Sequence, residues 1–541
     1  GLAWLDMTTG DFAAQPVAPR DLGAALARLE PSEILVADRL IERPDLFEVF
    51  GDWRDRLTVQ PASRFDSTNA AAHLKAHFSV DTLDAFGAFT RSETAAAGAL
   101  LDYVDLTQRG RAPRLSRPVR HAGDGAMEID AATRRNLELT RTCSGEKKGS
   151  LLSVVDRTVT GPGARLLAER LAAPLTDANA IDGRLDAVAF LIDDARLRET
   201  LRAELRGAPD FARALSRLAL GRGGPRDLAS LRDGILAAAA IGERLAHTPG
   251  LPAELAARAP DLAAPPRALS QNLAAALAQD LPLDKRDGGF VAAGYDATLD
   301  EARALRDESR RLVAALQSKY CDLAETKQLK IKHNNFLGFF LEVSQAQGEK
   351  LLKEPFNATF IHRQTMAGAM RFSTTELAEF EQKIASAADR ALALELAHFE
   401  TLAADVLAAS EEIKRASEAL AALDVSAALA ELADALGWTR PKVDTSLAFE
   451  IVGGRHPVVE AALKARGEAF TANDCGLSGA KAGAIAVVTG PNMAGKSTYL
   501  RQNALIVALA QMGSFTPASK AHMGVVDRLF SRVGASDDLA R

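Results

Sequence analysis

Thr489-Gly490-Pro491-Asn492-Met493-Ala494-Gly495-Lys496-Ser497-Thr498 is the stretch on which the reading of this chain turns. Gly490 to Ser497 fits G-x-x-x-x-G-K-[ST], the pattern of a loop that cradles phosphate. Its flanks carry equal weight. Ile485-Ala486-Val487-Val488 predicts a buried strand directly before it, and Thr498 to Met512, free of Gly and Pro, predicts a helix directly after. Glycines let backbone N–H groups turn inward around phosphate oxygens, and the helix start adds its positive dipole end. In that frame Lys496 reaches the β- and γ-phosphates, and the Ser497 hydroxyl ligates Mg²⁺. The plain alternative is a glycine-rich turn with an exposed lysine. The strand–loop–helix order argues against it.

Upstream lie two long segments without Gly or Pro, Tyr295 to Gln328 and Thr374 to Leu436. In the first, Leu305, Leu312, Leu316, Tyr320 and Leu323 recur on one stripe. In the second, Leu377, Phe380, Ile384, Ala387, Ala391 and Leu394 follow heptad spacing, the pattern of a coiled-coil seam. A 46-residue stretch of such a helix would be roughly 70 Å long, too long to bury in one compact domain. The two segments therefore predict levers paired in opposite directions. Between them, Leu329 to Lys332 alternates, and Phe336 to Val343 and Phe356 to His362 are rich in aromatic and branched residues, which predicts a small β-rich module at the lever tips.

Farther out, residues 1 to about 107 alternate strand signals (Leu2–Met7, Ser32–Ala37) with helix signals (Arg20–Leu29, Thr82–Phe89, Glu93–Leu106), as an α/β domain does. A linker is read from Arg111-Ala112-Pro113 to Arg117-Pro118, and mostly helical chain follows to about 290. After Gly437, Leu447–Val452 and Ala484–Thr489 read as strands of a second α/β domain. The 541 residues suit three to five domains, 47% of them are hydrophobic, and the net charge is −6. Bulk polycation binding is excluded, so any nucleic acid must meet a local basic surface. Cys143, Cys321 and Cys475 are far apart, with no CxxC or His-rich cluster; zinc and disulfide frameworks are not indicated, and a reducing cytosol fits. No apolar run approaches the roughly 20 residues of a membrane helix. The chain begins at Gly1 inside a strand-like run, with no signal peptide to read, so a segment upstream is expected.

The loop in its form TGPNMAGKST resembles that of the MutS family of DNA mismatch-repair ATPases. Gly454-Arg455-His456-Pro457-Val458-Val459-Glu460, Phe470-Thr471-Ala472-Asn473-Asp474, Asp130 to Glu138, Asp287-Gly288-Gly289, Arg363-Gln364-Thr365 and Asp527-Arg528-Leu529-Phe530 are similar to further segments of that family. The resemblance covers nearly the whole chain. It implies a multidomain α/β plus mainly α protein: an RNase H-like connector at 1–107, a core and lever domain at 117–321 and 384–440, a DNA-embracing clamp at 322–383, and a partial ABC-type P-loop ATPase domain at 441–541. It implies ATP and Mg²⁺ at Gly490, Pro491, Asn492, Met493, Ala494, Gly495, Lys496, Ser497 and Thr498, with Phe470 stacked on adenine. On the residues alone, Phe470 reads more readily as core packing. Further implications are mismatched duplex DNA, a MutL-like partner, a homodimer, DNA-dependent ATPase activity in the intact protein and a place in the bacterial cytosol on the nucleoid. The family's mismatch-reading Phe-x-Glu domain would precede Gly1. Its signature segment, Walker B acid and dimer-forming end would follow Gly534 to Leu539. The chain is thus expected to bind ATP and hydrolyse it poorly.

From Lys327 to Arg371 there are seven basic residues against three acidic ones, Glu342, Glu349 and Glu354. His333, Asn334, Asn335, His362 and Gln364 add hydrogen-bonding groups. Lys330, Lys332, Arg363 and Arg371 are the candidates for phosphate contact, which holds DNA without reading sequence. For any single lysine, a solvated surface is the plainer reading. His456 beside Pro457 reads as part of a turn, because no nucleophile or acid stands next to it in sequence. Three other readings compete. A structural ATPase that joins a P-loop to a coiled coil usually places the loop before the coils. A branch of the resembled family lacks the connector, which residues 1–107 argue against. A DNA-binding scaffold with a purely structural nucleotide would show no turnover.

Overall fold

The computed structural model describes residues 1–107, 115–121, 125–334, 338–478, 484–491 and 494–532, with the side chains at 85, 305–312, 334 and 381–385 also outside the description. The linker read at 111–113, Asn335, and the segment Gly534 to Leu539 lie outside the described residues. The chain divides into two units, one of residues 1–223, 230–270 and 407–541, the other of 224–229 and 271–406. The first combines small sheets with many helices and the second one four-stranded sheet with two long helices, a mixed α/β and α architecture.

The first unit opens with β1 (Leu2–Leu5) and β2 (Phe12–Gln15), an antiparallel pair. β3 (Ile34–Ala37) and β4 (Leu57–Gln60) pair in parallel, which requires the helical crossover between them. The stretch read as a helix at Thr82–Phe89 holds only a 3₁₀ turn, Leu83–Phe86, that stops at Gly87 with φ +117°. Helices Ser67–Phe78 and Arg91–Thr107 cross so closely that a Cβ on Gly98 would lie 2.2 Å from Ala70 Cβ. They close a core of Phe12, Leu74, Ala97, Leu101 and Leu115. β5 (Val119–Arg120) then adds to β2 in parallel, and β6 (Glu128–Ile129) leads into the helical part.

The second unit holds the two long helices. Ala297–Leu323 leads into β7 (Lys330–Asn334) and β8 (Gly338–Ser344), and β9 (Ile361–Met366) and β10 (Ala369–Ser373) lead into Thr375–Ala408. Asp296 bonds His398, Arg303 bonds Glu395, and Lys319 with Tyr320 bonds Glu376. Partner numbers fall as the first helix advances, so the helices run antiparallel. The 34-residue second helix spans about 51 Å at 1.5 Å per residue. The strands form one antiparallel sheet in the order β7-β8-β10-β9. One face covers Tyr320, Leu341, Val343, Phe360, Met370, Phe372 and Leu377. The heptad stripe faces inward where it is described: Leu377, Ala387 and Ala391 are buried, Phe380 and Leu394 half-buried.

The single lever read over Thr374–Leu436 is corrected. Helix breaks at Ala409 (φ −96°, ψ 19°), and the second piece, Ser410–Leu436, is a core element of the first unit. Alanines at 416, 419, 421, 422, 427, 428, 430 and 433 leave room for neighbours on every side, and all are buried. Helices Gly161–Ala172, Ala178–Asp193, Ala195–Gly207 and Ala253–Leu262 pack around it. At its centre the Asp424 carboxylate, fully buried, accepts from Val159 N, Thr160 N and the Thr160 hydroxyl, fixing the start of Gly161–Ala172.

Beyond it, β11 (Lys442–Asp444), β12 (Phe449–Gly454), β13 (Asn473–Gly476) and β14 (Lys520–Gly524) form a mixed sheet in the order β11-β14-β12-β13, and β15 (Arg528–Leu529) pairs with β6 in parallel. The strand read at Ala484–Thr489 is not formed: residues 484–491 have no regular structure, and Ile485 and Val487 are 95% and 84% exposed. An apolar run becomes a buried strand only when neighbours pair with it, and among the described residues none does.

Candidate functional site

The loop ends at Gly495, which takes φ +85° and starts the 16-residue helix Lys496–Gln511. Gly490 is also in a conformation that L side chains rarely adopt, φ +150°. Among the described residues, a Cβ there would meet only Lys496 Cδ, at 3.9 Å, and one on Gly495 would meet nothing within 4 Å. Lys496 Nζ turns back and donates to the carbonyls of Gly490 and Pro491. Ser497 is exposed and Thr498 half-buried on the first turn, while Ala494 is exposed in the loop itself. Asn492 and Met493 lie outside the described residues.

The helix is rigidly seated at its far end. Gln511, fully buried, donates to Leu175 O (2.6 Å) and Val526 O (2.9 Å) and accepts from Val526 N (2.8 Å). Near its start, Tyr499 Oη donates to Asp474 O at 3.0 Å, and Asp474 Oδ1 accepts from Gly453 N at 2.7 Å. These bonds tie the loop's helix to β13 and β13 to β12; Phe470, half-buried, lies three residues before β13. Tyr499 carried no signal in the sequence beyond its place in the helix, and Asp474 none beyond the Phe470–Asp474 run; their pairing depends on the fold. His456 is structural: it caps helix Pro457–Lys464 by accepting from Val459 N at 3.3 Å. Burial, aided by the Arg501 charge, pushes its pKa down to about 4, so it stays neutral as an acceptor must.

On the four-stranded sheet, Lys332 and Arg371 share one carboxylate, Glu342, and strand register sets Lys330 opposite it. Lys332 Nζ bonds it at 2.6 Å and Arg371 Nε at 3.2 Å. Together they hold it below the usual carboxylate range, the Lys332 hydrogen bond contributing most. Arg363 stands apart on β9, a strand whose six residues are all exposed. Lys330 and Arg363 have no ion pair among the described residues.

Three family models match the chain: MutS domain II over residues 1–116, MutS domain III over 132–430, and MutS domain V over 486–541. The second alone takes in more than half of it. The chain belongs to the MutS family. Among its relatives, the DNA mismatch repair protein MutS of Rhodopseudomonas palustris strain HaA2 is 56% identical over 546 residues, covering all of this chain and 60% of that protein. Those of Nitrobacter winogradskyi and Azorhizobium caulinodans are each 53% identical over the whole chain, covering 62% and 58% of their own lengths. The chain thus spans about 60% of the length of the curated relatives it matches. Gly490–Thr498 falls in the stretch that matches MutS domain V and the sheet residues in that matching MutS domain III. Among the described residues, no helix is long and apolar enough to cross a membrane.

Proposed function

We propose that this MutS chain binds ATP with Mg²⁺ at Gly490–Thr498 and holds duplex DNA through the sheet between its long helices, as part of an assembly that recognises mispairs and starts their repair. The observation that carries the nucleotide reading is the helix Lys496–Gln511 beginning at a glycine-hinged loop whose lysine already lies over the loop's carbonyls. The residues suit a nucleotide. Backbone N–H groups at the helix start favour phosphate, Lys496 supplies charge to the outer phosphates, and the exposed Ser497 hydroxyl is free to take a metal. Phe470, half-buried just ahead of β13, is taken as the base platform on the family resemblance. Bound ATP·Mg²⁺ supplies a hydrolysable phosphoanhydride; the part of this chain is to bind and orient it. For the whole protein we read a DNA-dependent ATPase acting as a homodimer in the cytosol with a MutL-like partner. This rests on the family and on the relatives' naming as mismatch repair proteins.

Titration of a fluorescent ATP analogue with Mg²⁺ tests the reading. Saturable binding that weakens at least about tenfold in Lys496→Ala is expected, since a charge-assisted contact contributes about 1.5–3 kcal/mol. Equal binding by both proteins would exclude the loop as the site.

A further inference from the structure

The polar face of the four-stranded sheet places one acid among its cations. Strand register sets Lys330 of β7 and Arg371 of β10 directly opposite Glu342 of β8. The two carboxylate oxygens are used on different partners: Oε1 accepts from Lys332 Nζ at 2.6 Å, and Oε2 from Arg371 Nε at 3.2 Å. Arg371 is held further, because its Nη1 donates to Gln364 Oε1 at 3.1 Å and its guanidinium lies 4.5 Å from the centre of the Phe340 ring. Its side chain is 18% exposed, whereas that of Lys332 is 50% exposed. Two of the four cations assigned to phosphate contact are therefore already neutralised within the protein.

We propose that Glu342 is an internal counter-ion that stands in for a DNA phosphate, occupying Lys332 and Arg371 and thereby setting how firmly this sheet grips duplex DNA. The inference rests on the DNA-holding reading of the sheet. A cation paired with Glu342 can reach a phosphate only by exchanging one anion for another, and the exchange leaves a bare carboxylate facing the DNA backbone. Such a cation adds little to counter-ion release, so the grip stays light and suits movement along the duplex. Lys330 and Arg363 carry the contact that remains.

Fluorescence anisotropy on end-blocked homoduplex, between 50 and 200 mM salt, tests this. Glu342→Gln removes the charge and keeps the shape on the solvent side of the sheet. It is expected to tighten binding several-fold at 50 mM and to steepen the slope of log K against log salt by about one, so that its advantage shrinks by about fourfold at 200 mM. Adding Lys332→Met to Glu342→Gln should restore the wild-type slope. Glu342→Asp, which keeps the charge but is one methylene too short to span both cations, should lie between. Unchanged or weaker binding in both Glu342→Gln and Glu342→Asp overturns the proposal, because Glu342 would then be ordering its cations for the DNA. The underlying reading fails separately: if Lys330→Glu with Arg363→Glu leaves wild-type binding and its salt slope untouched, the sheet is not the DNA surface at all.

Discussion

At the level of single residues, the most informative group is His456, because the sequence placed it in a turn and the structure shows why it cannot titrate freely. Its ring accepts from Val459 N and lies buried beside Arg501, with its pKa pushed down to about 4 against 6.5 in the unfolded chain. Between these values the unfolded chain binds more protons than the folded one. Stability is therefore full above about pH 6.5 and is lost as the pH falls toward 4, by up to roughly 3 kcal/mol. His456→Asn keeps a capping acceptor without the titration. Thermal unfolding at pH 7 and pH 5 should show a smaller drop for that variant than for the wild type; equal drops would place the acid sensitivity elsewhere. Spacing alone marked Lys496 as the candidate phosphate ligand. That its ammonium folds back on Gly490 and Pro491 was not legible, since that depends on the loop's path in space.

At the level of elements, the antiparallel helices are fastened by a buried ion pair. Glu395, 2% exposed, accepts from Arg303 Nη2 at 2.7 Å and from Phe290 N at 3.2 Å. Removing one partner of such a pair leaves an uncompensated buried charge and costs about 3–5 kcal/mol, whereas replacing both with apolar groups can be neutral. Amide hydrogen exchange should show helices 297–304 and 390–399 opening far more readily in Glu395→Ala, and near-normal protection in Arg303→Met with Glu395→Leu. Comparable exchange in the single and double variants would mean the ion pair does not fasten the helices. The heptad stripe made the first half of the long segment readable, because spacing alone defines a seam. The second half misled: an alanine-rich helix buried on every side has no stripe, and only the break at Ala409 and the helices around Ser410–Leu436 reveal it as core. Ala484–Thr489 erred the other way, since β-propensity specifies a willing strand but not the neighbour that must pair with it.

For the molecule as a whole, a chain of net charge −6 repels DNA at long range, so on the proposed reading a duplex is held by the small region with seven basic and three acidic residues. Contacts of that kind hold phosphates and do not read bases. End-blocked homoduplex and the same duplex with one G·T mispair should therefore bind this chain equally, both losing affinity as salt rises; a clear preference for the mispair would place recognition within residues described here. The sequence by itself determined the family, the two long helices and the β-rich insert between them, and it singled out the glycine-lysine loop, because each depends on local spacing that survives without neighbours. Only the tertiary structure decided which cations are free. Lys330, Lys332, Arg363 and Arg371 are alike as letters, but strand register brings Glu342 within 2.6 Å of Lys332 and 3.2 Å of Arg371. Pairing between charges falls off with distance in space, and that distance is set by folding, not by separation along the chain.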